Sequence, residues 1–116
     1  MVRRGDIVWA DFGAARDSEA AKRRPAVVVS GDGANEAVER AGSGVIVLVP
    51  LTSSIDRVYR FQVLVPAAPT RLPRTSKAQA EQIRALSIRR IGATIGHVPP
   101  DLMAEIDDAI RLHLDL

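Results

Sequence analysis

The sequence predicts a mainly β (α+β) fold, a small barrel-like sheet of short strands with a short helix and a C-terminal helix added. Three observations predict it. Two continuous apolar runs, Pro25-Ala26-Val27-Val28-Val29 and Val45-Ile46-Val47-Leu48-Val49, are each bounded by glycine or proline signals, as buried strands are. The stretch Ile7-Val8-Trp9-Ala10-Asp11-Phe12 is β-branched and aromatic, and follows the turn signal Gly5-Asp6. From Pro99 onward, Leu102, Ile106, Ala109, Ile110 and His113 fall at helical spacing, with Asp101, Glu105, Asp108 and Arg111 on other faces.

The remaining elements follow in order. Residues 13–24 have no sustained period and read as a long loop, a feature that is often functional in a compact domain. Pro25 suits the first position of its strand, where a missing N–H costs least. After Gly31-Asp32-Gly33, residues 35–40 read as one helical turn or a polar loop. Pro50 stops the second apolar run, and Leu51-Thr52-Ser53-Ser54 follows it. Residues 59–65 alternate as a strand with one wetter face. The proline-rich 66–76 reads as a loop. Residues 77–83 are ambiguous, with helical propensity but polar residues at every second position. Ser87–Arg90 reads as a short helical turn, and 93–98 as a last strand. Pro100 and Asp101 suit the start of the final helix.

With 116 residues there is room for one core, so 1–116 is expected to be a single domain. Aromatic residues make up only 3%, so the core must be aliphatic, with Trp9, Phe12, Tyr59 and Phe61 as its large rings. Cysteine is absent, which excludes disulfides, thiolate metal sites and a cysteine nucleophile. No apolar run approaches the length of a membrane span, and Met1-Val2-Arg3-Arg4 leads into a strand pattern rather than a signal sequence. A cytoplasmic protein without membrane contact is the expectation.

Net charge is +2, but it is unevenly spread. Residues 61–100 carry six basic groups against Glu81 alone, and residues 101–116 carry five acids against Arg111 alone. Such asymmetry suits a polyanion-facing surface beside an acidic helix, and also suits two solvated faces. The histidines offer little chemistry. His113 lies on the apolar stripe of the last helix, and His97 has no carboxylate at ligand spacing, so no metal site is expected. Neither a nucleophile elbow nor a phosphate loop is present.

What remains is Arg23 and Arg24 just before one apolar strand, and Thr52, Ser53 and Ser54 just after the other. If those strands are neighbours, a guanidinium and hydroxyls meet at one end, a group suited to a phosphodiester. A loop ion pair at Arg24 and a plain strand end at Thr52–Ser54 is the simpler reading of the residues alone.

The ordered set Gly5-Asp6-Ile7-Val8-Trp9-Ala10-Asp11-Phe12, Ser18-Glu19, Arg24-Pro25-Ala26-Val27-Val28-Val29-Ser30, Val49-Pro50-Leu51-Thr52-Ser53 and Glu81-Gln82-Ile83-Arg84 resembles the MazF/PemK/Kid family of bacterial toxins. The resemblance runs from Arg4 to the end of the last helix. It implies an SH3-like β-barrel acting as a homodimer. It also implies a metal- and cofactor-independent endoribonuclease that cuts single-stranded RNA at short sequences. The implied partner is a MazE-like antitoxin whose acidic tail covers the RNA groove. Glu19, Arg24 and Thr52 carry over as catalytic residues, and Phe12, Ser53, Glu81, Gln82 and Arg84 as RNA-contacting or supporting ones.

In that chemistry the ribose 2′-OH is the nucleophile, so no metal-bound water is required. Arg24 suits charge stabilisation and protonation of the leaving oxygen, Glu19 or Glu81 the base, and Thr52 phosphate positioning. Three departures stand out. Asp17-Ser18-Glu19-Ala20 replaces the Gly-Ser-Glu-Gln of many relatives, Gln79 stands where some place an arginine, and Pro99 replaces a helix-capping hydroxyl. The rival reading is a gyrase-poisoning toxin of the same barrel type without nuclease activity, against which the Arg24–Thr52 pair argues. A plain RNA-binding barrel is disfavoured by the scarcity of aromatic rings.

Overall fold

The structure, a computed structural model, describes residues 1–13 and 22–116. The two apolar runs pair as expected. Strand β1 (Asp6–Asp11) runs antiparallel to β2 (Arg23–Val28), and β2 runs antiparallel to β3 (Val45–Thr52). Eight residues long, β3 has β2 on one side; on the other it pairs with β5 (Ser76–Gln79) and then with β6 (Arg84–Ser87). A single 3-10 turn at Ala80–Gln82 separates those two strands. Strand β4 (Gln62–Val65) lies outside β5, and β7 (Ile91–His97) lies outside β1.

The seven strands therefore form one antiparallel sheet with β4 at one end and β7 at the other. Among the described residues these ends do not pair, so the sheet is open and the expected barrel closure is not made. The β1–β7 pairing carries two register shifts, between Ile7 and Val8 and between Val8 and Ala10.

Both faces of the sheet are covered. One side buries Ile7, Val27, Val49, Leu51 and Val65 against Met103, Ile106 and Ala109 of α3 (Pro100–Leu114). The other buries Val8, Ala10, Ala26, Val28, Ile46, Leu48 and Leu86 around the Phe12 ring. Alternation along each strand divides the two sets. Of the four large rings assigned to the core, only Phe12 is buried; Trp9 is half-buried, and Tyr59 stacks on Phe61 at the surface. His113 is exposed and touches only the Phe61 ring among the described aromatic contacts.

Residues 35–40 belong to a longer helix, α1 (Asp32–Ala41), which ends at Gly42 in the left-handed conformation. Its stripe escaped the hydrophobic pattern because the buried residue is Asn35. That amide is satisfied by Ser30, donating to its carbonyl at 3.0 Å and accepting from its hydroxyl at 2.5 Å. The ambiguous 77–83 segment resolves as strand followed by the 3-10 turn. Alternation outweighed helical propensity there because Ala78 and Ala80 enter the core, while the Lys77 ammonium donates to the Arg57 carbonyl at 2.6 Å. The strand predicted from residue 59 starts only at Gln62, after a turn closed by Gln62 N–H on the Tyr59 carbonyl. The 66–76 connection contains a one-turn element, α2 (Ala67–Thr70). It presses so closely on β7 that a Cβ on Gly96 would stand 1.9 Å from the Thr70 carbonyl oxygen.

Candidate functional site

The β2–β3 register ends with Ala26 opposite Pro50, so Arg24 and Thr52 each lie two residues beyond its last pair, at the same end of two neighbouring strands. Arg24 also faces Ala10 of β1, and Thr52 faces Lys77 of β5, so both residues sit where four strands end or begin. The condition posed by the sequence, that the two apolar strands be neighbours, is met.

An open cleft of about 350 Å³ lies at this end of the sheet. Its cations are Lys22, Arg23, Arg24 and Arg74; its hydroxyls are Thr52, Ser53 and Ser76; its walls are Trp9, Pro25, Leu51, Leu72 and Pro73. No carboxylate lines it among the described residues. Four cations gathered at one cleft make a field that draws and orients a polyanion. The guanidinium fork of Arg24 matches two phosphate oxygens, and adjacent hydroxyls can donate to the same group. Thr52 Oγ1 accepts from the Ser54 N–H at 3.2 Å, which points its own proton elsewhere.

Local chemistry explains the placement. Pro25 follows Arg24 in the strand and lacks an N–H, and the pairing with β3 reaches no further than Ala26, while Arg23 and Arg24 stay paired with β1. Phe12 N–H donates to the Lys22 carbonyl at 3.0 Å, and Lys22 N–H donates to the Gly13 carbonyl at 2.5 Å. Gly13 and Lys22 both hold a positive φ, 74° and 66°. Gly13 and Lys22 are thus held together two residues from Arg24. Glu19, with Asp17, Ser18 and Ala20, lies outside the described residues.

The other expected site residues divide. Ser53 lines the cleft and is exposed. Phe12 does not present its ring for RNA contact: it is 1% exposed, and only its backbone serves the site. Its carbonyl accepts from the Arg84 Nη1 at 3.1 Å, so Arg84 braces the neck of the loop from β6. Glu81 and Gln82 occupy the 3-10 turn and do not line the cleft. One Glu81 carboxylate oxygen accepts from the Gln62 amide at 2.7 Å; the other is buried with no hydrogen-bond partner. Gln62 in turn accepts from the Tyr59 N–H, so Glu81 ends a short polar chain beneath the β3–β4 connection.

Sequence reasoning missed Trp9, Lys22, Arg74 and Ser76 as cleft residues. Arg74 belongs to the basic stretch 61–100 that pointed to a polyanion, but nothing local marked it within that stretch. Among the described residues, no three His, Asp or Glu side chains gather as metal ligands.

Comparison with known proteins places this geometry. The profile of the PemK-like, MazF-like toxins of type II toxin–antitoxin systems matches residues 3–114. The chain is 52% identical over 116 residues to endoribonuclease MazF9 of Mycobacterium tuberculosis, covering 100% of this chain and 98% of that protein. Its fold is similar to the crystal structure of MazF from Deinococcus radiodurans, with a TM-score of 0.82 and 28% identity, covering 99% of this chain and 97% of that one. It is also similar to a chain of the MazE–MazF crystal structure from the same organism, with a TM-score of 0.74 and 26% identity, covering 99% and 96%. The chain belongs to the PemK-like, MazF-like toxins of type II toxin–antitoxin systems.

Proposed function

We propose that this protein is an endoribonuclease toxin that cuts single-stranded RNA in the Arg24–Thr52 cleft without a metal ion. The observation that carries the reading is the β2–β3 pairing, which gathers a guanidinium and hydroxyls in one cationic cleft lined by no described carboxylate. Relatives named endoribonuclease MazF support it. The gyrase-poison reading is disfavoured, because a protein-binding toxin has no use for a phosphate site.

The reaction is transesterification. The 2′-OH oxygen bonds to the adjacent phosphorus, the bond to the 5′ oxygen breaks, and the products are a 2′,3′-cyclic phosphate and a 5′-OH. Arg24 holds the phosphate oxygens as negative charge grows in the phosphorane and protonates the departing oxygen. Thr52 and Ser53 fix the phosphate so that the 2′ oxygen lies in line with the leaving group. A carboxylate takes the 2′-OH proton. Glu19 is the better candidate, since its segment joins β2 beside Arg24, whereas Glu81 is engaged with Gln62. Arg84 keeps the loop neck in place through Phe12.

The toxin works as a homodimer in the cytoplasm, paired with a MazE-like antitoxin; the solved MazE–MazF assembly of a similar protein supports that partner. Among the described residues no helix is long and apolar enough to cross a membrane. The test is incubation of purified protein with a long single-stranded RNA in EDTA, with end-group analysis. Cleavage leaving cyclic phosphate ends is expected. Arg24→Ala and Thr52→Ala should each lower the rate at least 100-fold, roughly the effect of removing one transition-state donor, while leaving the chain folded. Intact RNA with the wild-type protein would sink the proposal.

A further inference from the structure

We infer that the cleft contains a base-binding subsite, in which the indole of Trp9 stacks on the nucleobase next to the phosphate held by Arg24 and Thr52. The inference rests on the nuclease reading of the cleft and adds to it the group that reads the substrate's base.

Four aromatic side chains (one Trp, one Tyr, two Phe) occur in the chain, and three are committed elsewhere. Phe12 is buried in the core, and Tyr59 and Phe61 stack on each other with centroids 5.4 Å apart at the β3–β4 connection. Trp9 alone lines the cleft, and it is half-buried. A phosphate site needs no indole. A large apolar ring left partly open beside four cations is the pairing that single-stranded nucleic acid uses: charge for the backbone, a π face for the base.

The surroundings fit one nucleotide. Trp9 faces Pro25 across the strand pair, and Leu72 and Pro73 close the far wall, so the base enters a slot with apolar sides. A cleft of about 350 Å³ lies at the small end of ligand pockets, enough for one nucleotide and too little for a duplex. Gly92 of β7 makes room for the Arg23 guanidinium near Trp9. A Cβ there would stand 2.8 Å from the Arg23 Nη2 and 3.5 Å from the Trp9 Cβ. Arg23 thereby sits near the base of the Trp9 side chain, on the rim a neighbouring phosphate would cross. Stacking tolerates every base, so Trp9 supplies affinity at this position and prefers larger purine faces over pyrimidines.

Trp9 is the sole tryptophan, so intrinsic emission reports on this subsite alone. The probe is a single-stranded RNA with 2′-O-methyl groups throughout, which lacks the nucleophile and is not cut. Its binding is followed by anisotropy of an end label. At saturation, Trp9 emission should fall and acrylamide quenching should weaken. Replacing the base next to the cleavage site by an abasic ribose should reverse both effects. Trp9→Ala should weaken binding roughly 5- to 100-fold, as loss of one stacked base does, and Trp9→Phe should recover most of it. Unchanged emission and acrylamide access at saturation overturns the subsite while leaving the nuclease reading intact. Absence of any anisotropy change overturns the cleft as an RNA site, and the subsite with it. The wild-type measurement decides the matter even if Trp9→Ala fails to fold.

Discussion

Replacing Gly96 by alanine tests the packing that holds the far wall of the cleft. An added Cβ would stand 1.9 Å from the Thr70 carbonyl oxygen and 2.9 Å from its carbon, whereas real Cβ contacts stay beyond 3.0 Å. Backbone must therefore move by at least about 1.1 Å. Thr70 cannot yield locally: it is fully buried, and its hydroxyl donates to the Pro66 carbonyl at 2.6 Å, with the Ala67 carbonyl at 3.0 Å. Overpacking of this kind costs about 1–3 kcal/mol. For a chain of 116 residues each kcal/mol is worth about 4 °C, so Tm should fall by about 4–12 °C. Leu72, Pro73 and Arg74 follow directly in the chain, so cleavage at a permissive temperature should also slow, by up to about 100-fold if the wall shifts 1 Å. Thermal unfolding by circular dichroism and a single-turnover RNA assay read the two effects. Gly33→Ala is the control: it lies in α1 with nothing within 4 Å of its added Cβ, and should gain about 0.5–1 kcal/mol. A Gly96→Ala protein melting with the wild type would refute the reasoning.

Phe12→Ala should act on stability, costing about 3–5 kcal/mol in urea unfolding, while RNA affinity of the folded fraction stays near wild type. Lost affinity at full stability would mean that the ring touches RNA. Arg74→Ala should leave Tm unchanged and reduce the slope of log affinity against log salt by about 0.7, the share of one phosphate contact on a single strand. An unchanged slope would remove Arg74 from the RNA path. Asp32 accepts the Arg4 backbone N–H at 2.7 Å, and that bond holds its carboxyl below the ordinary value of 3.8. A lowered folded pKa gives stability that is present above the unfolded value and lost as pH falls through the folded one. The Tm difference between wild type and Asp32→Asn should therefore be constant from pH 5 to 7 and shrink below about pH 4. A difference that persists at pH 2 would contradict this.

The strands that carry the site were legible because Val27–Val29 and Val45–Val49 are apolar on both faces, and a strand covered on both sides leaves that mark. Their adjacency was not legible, since pairing is a property of topology rather than of either run. The helix at 32–41 escaped because its inward residue is an asparagine satisfied by Ser30, which periodicity counts as polar. Barrel closure was expected from many short strands and the resemblance, yet the edges β4 and β7 stay apart. Among the expected site residues, Arg24, Thr52 and Ser53 stood at strand ends, where the residues alone favoured a plain structural reading; the resemblance singled them out, and they lie together in the cleft. Phe12 belongs to the same ordered motif but serves it from the core. The position of Trp9 could not be read, because alternation in β1 assigns a face to a side chain without saying whether that face is roofed.

The hydrogen-bonded neck at Gly13 and Lys22 also bears on how such toxins diversify. Both residues are fixed by backbone bonds, with Arg84 gripping the Phe12 carbonyl beside them, so the support of the neck does not depend on which residues lie between. Changes of length or composition at 14–21 that keep the carboxylate of Glu19 can then accumulate without disturbing β1, β2 or the placement of Arg24 and Thr52. Transplanting residues 14–21 between relatives that each supply a carboxylate in place of Glu19 should then alter which RNA is cut while the Arg24–Thr52 centre is kept.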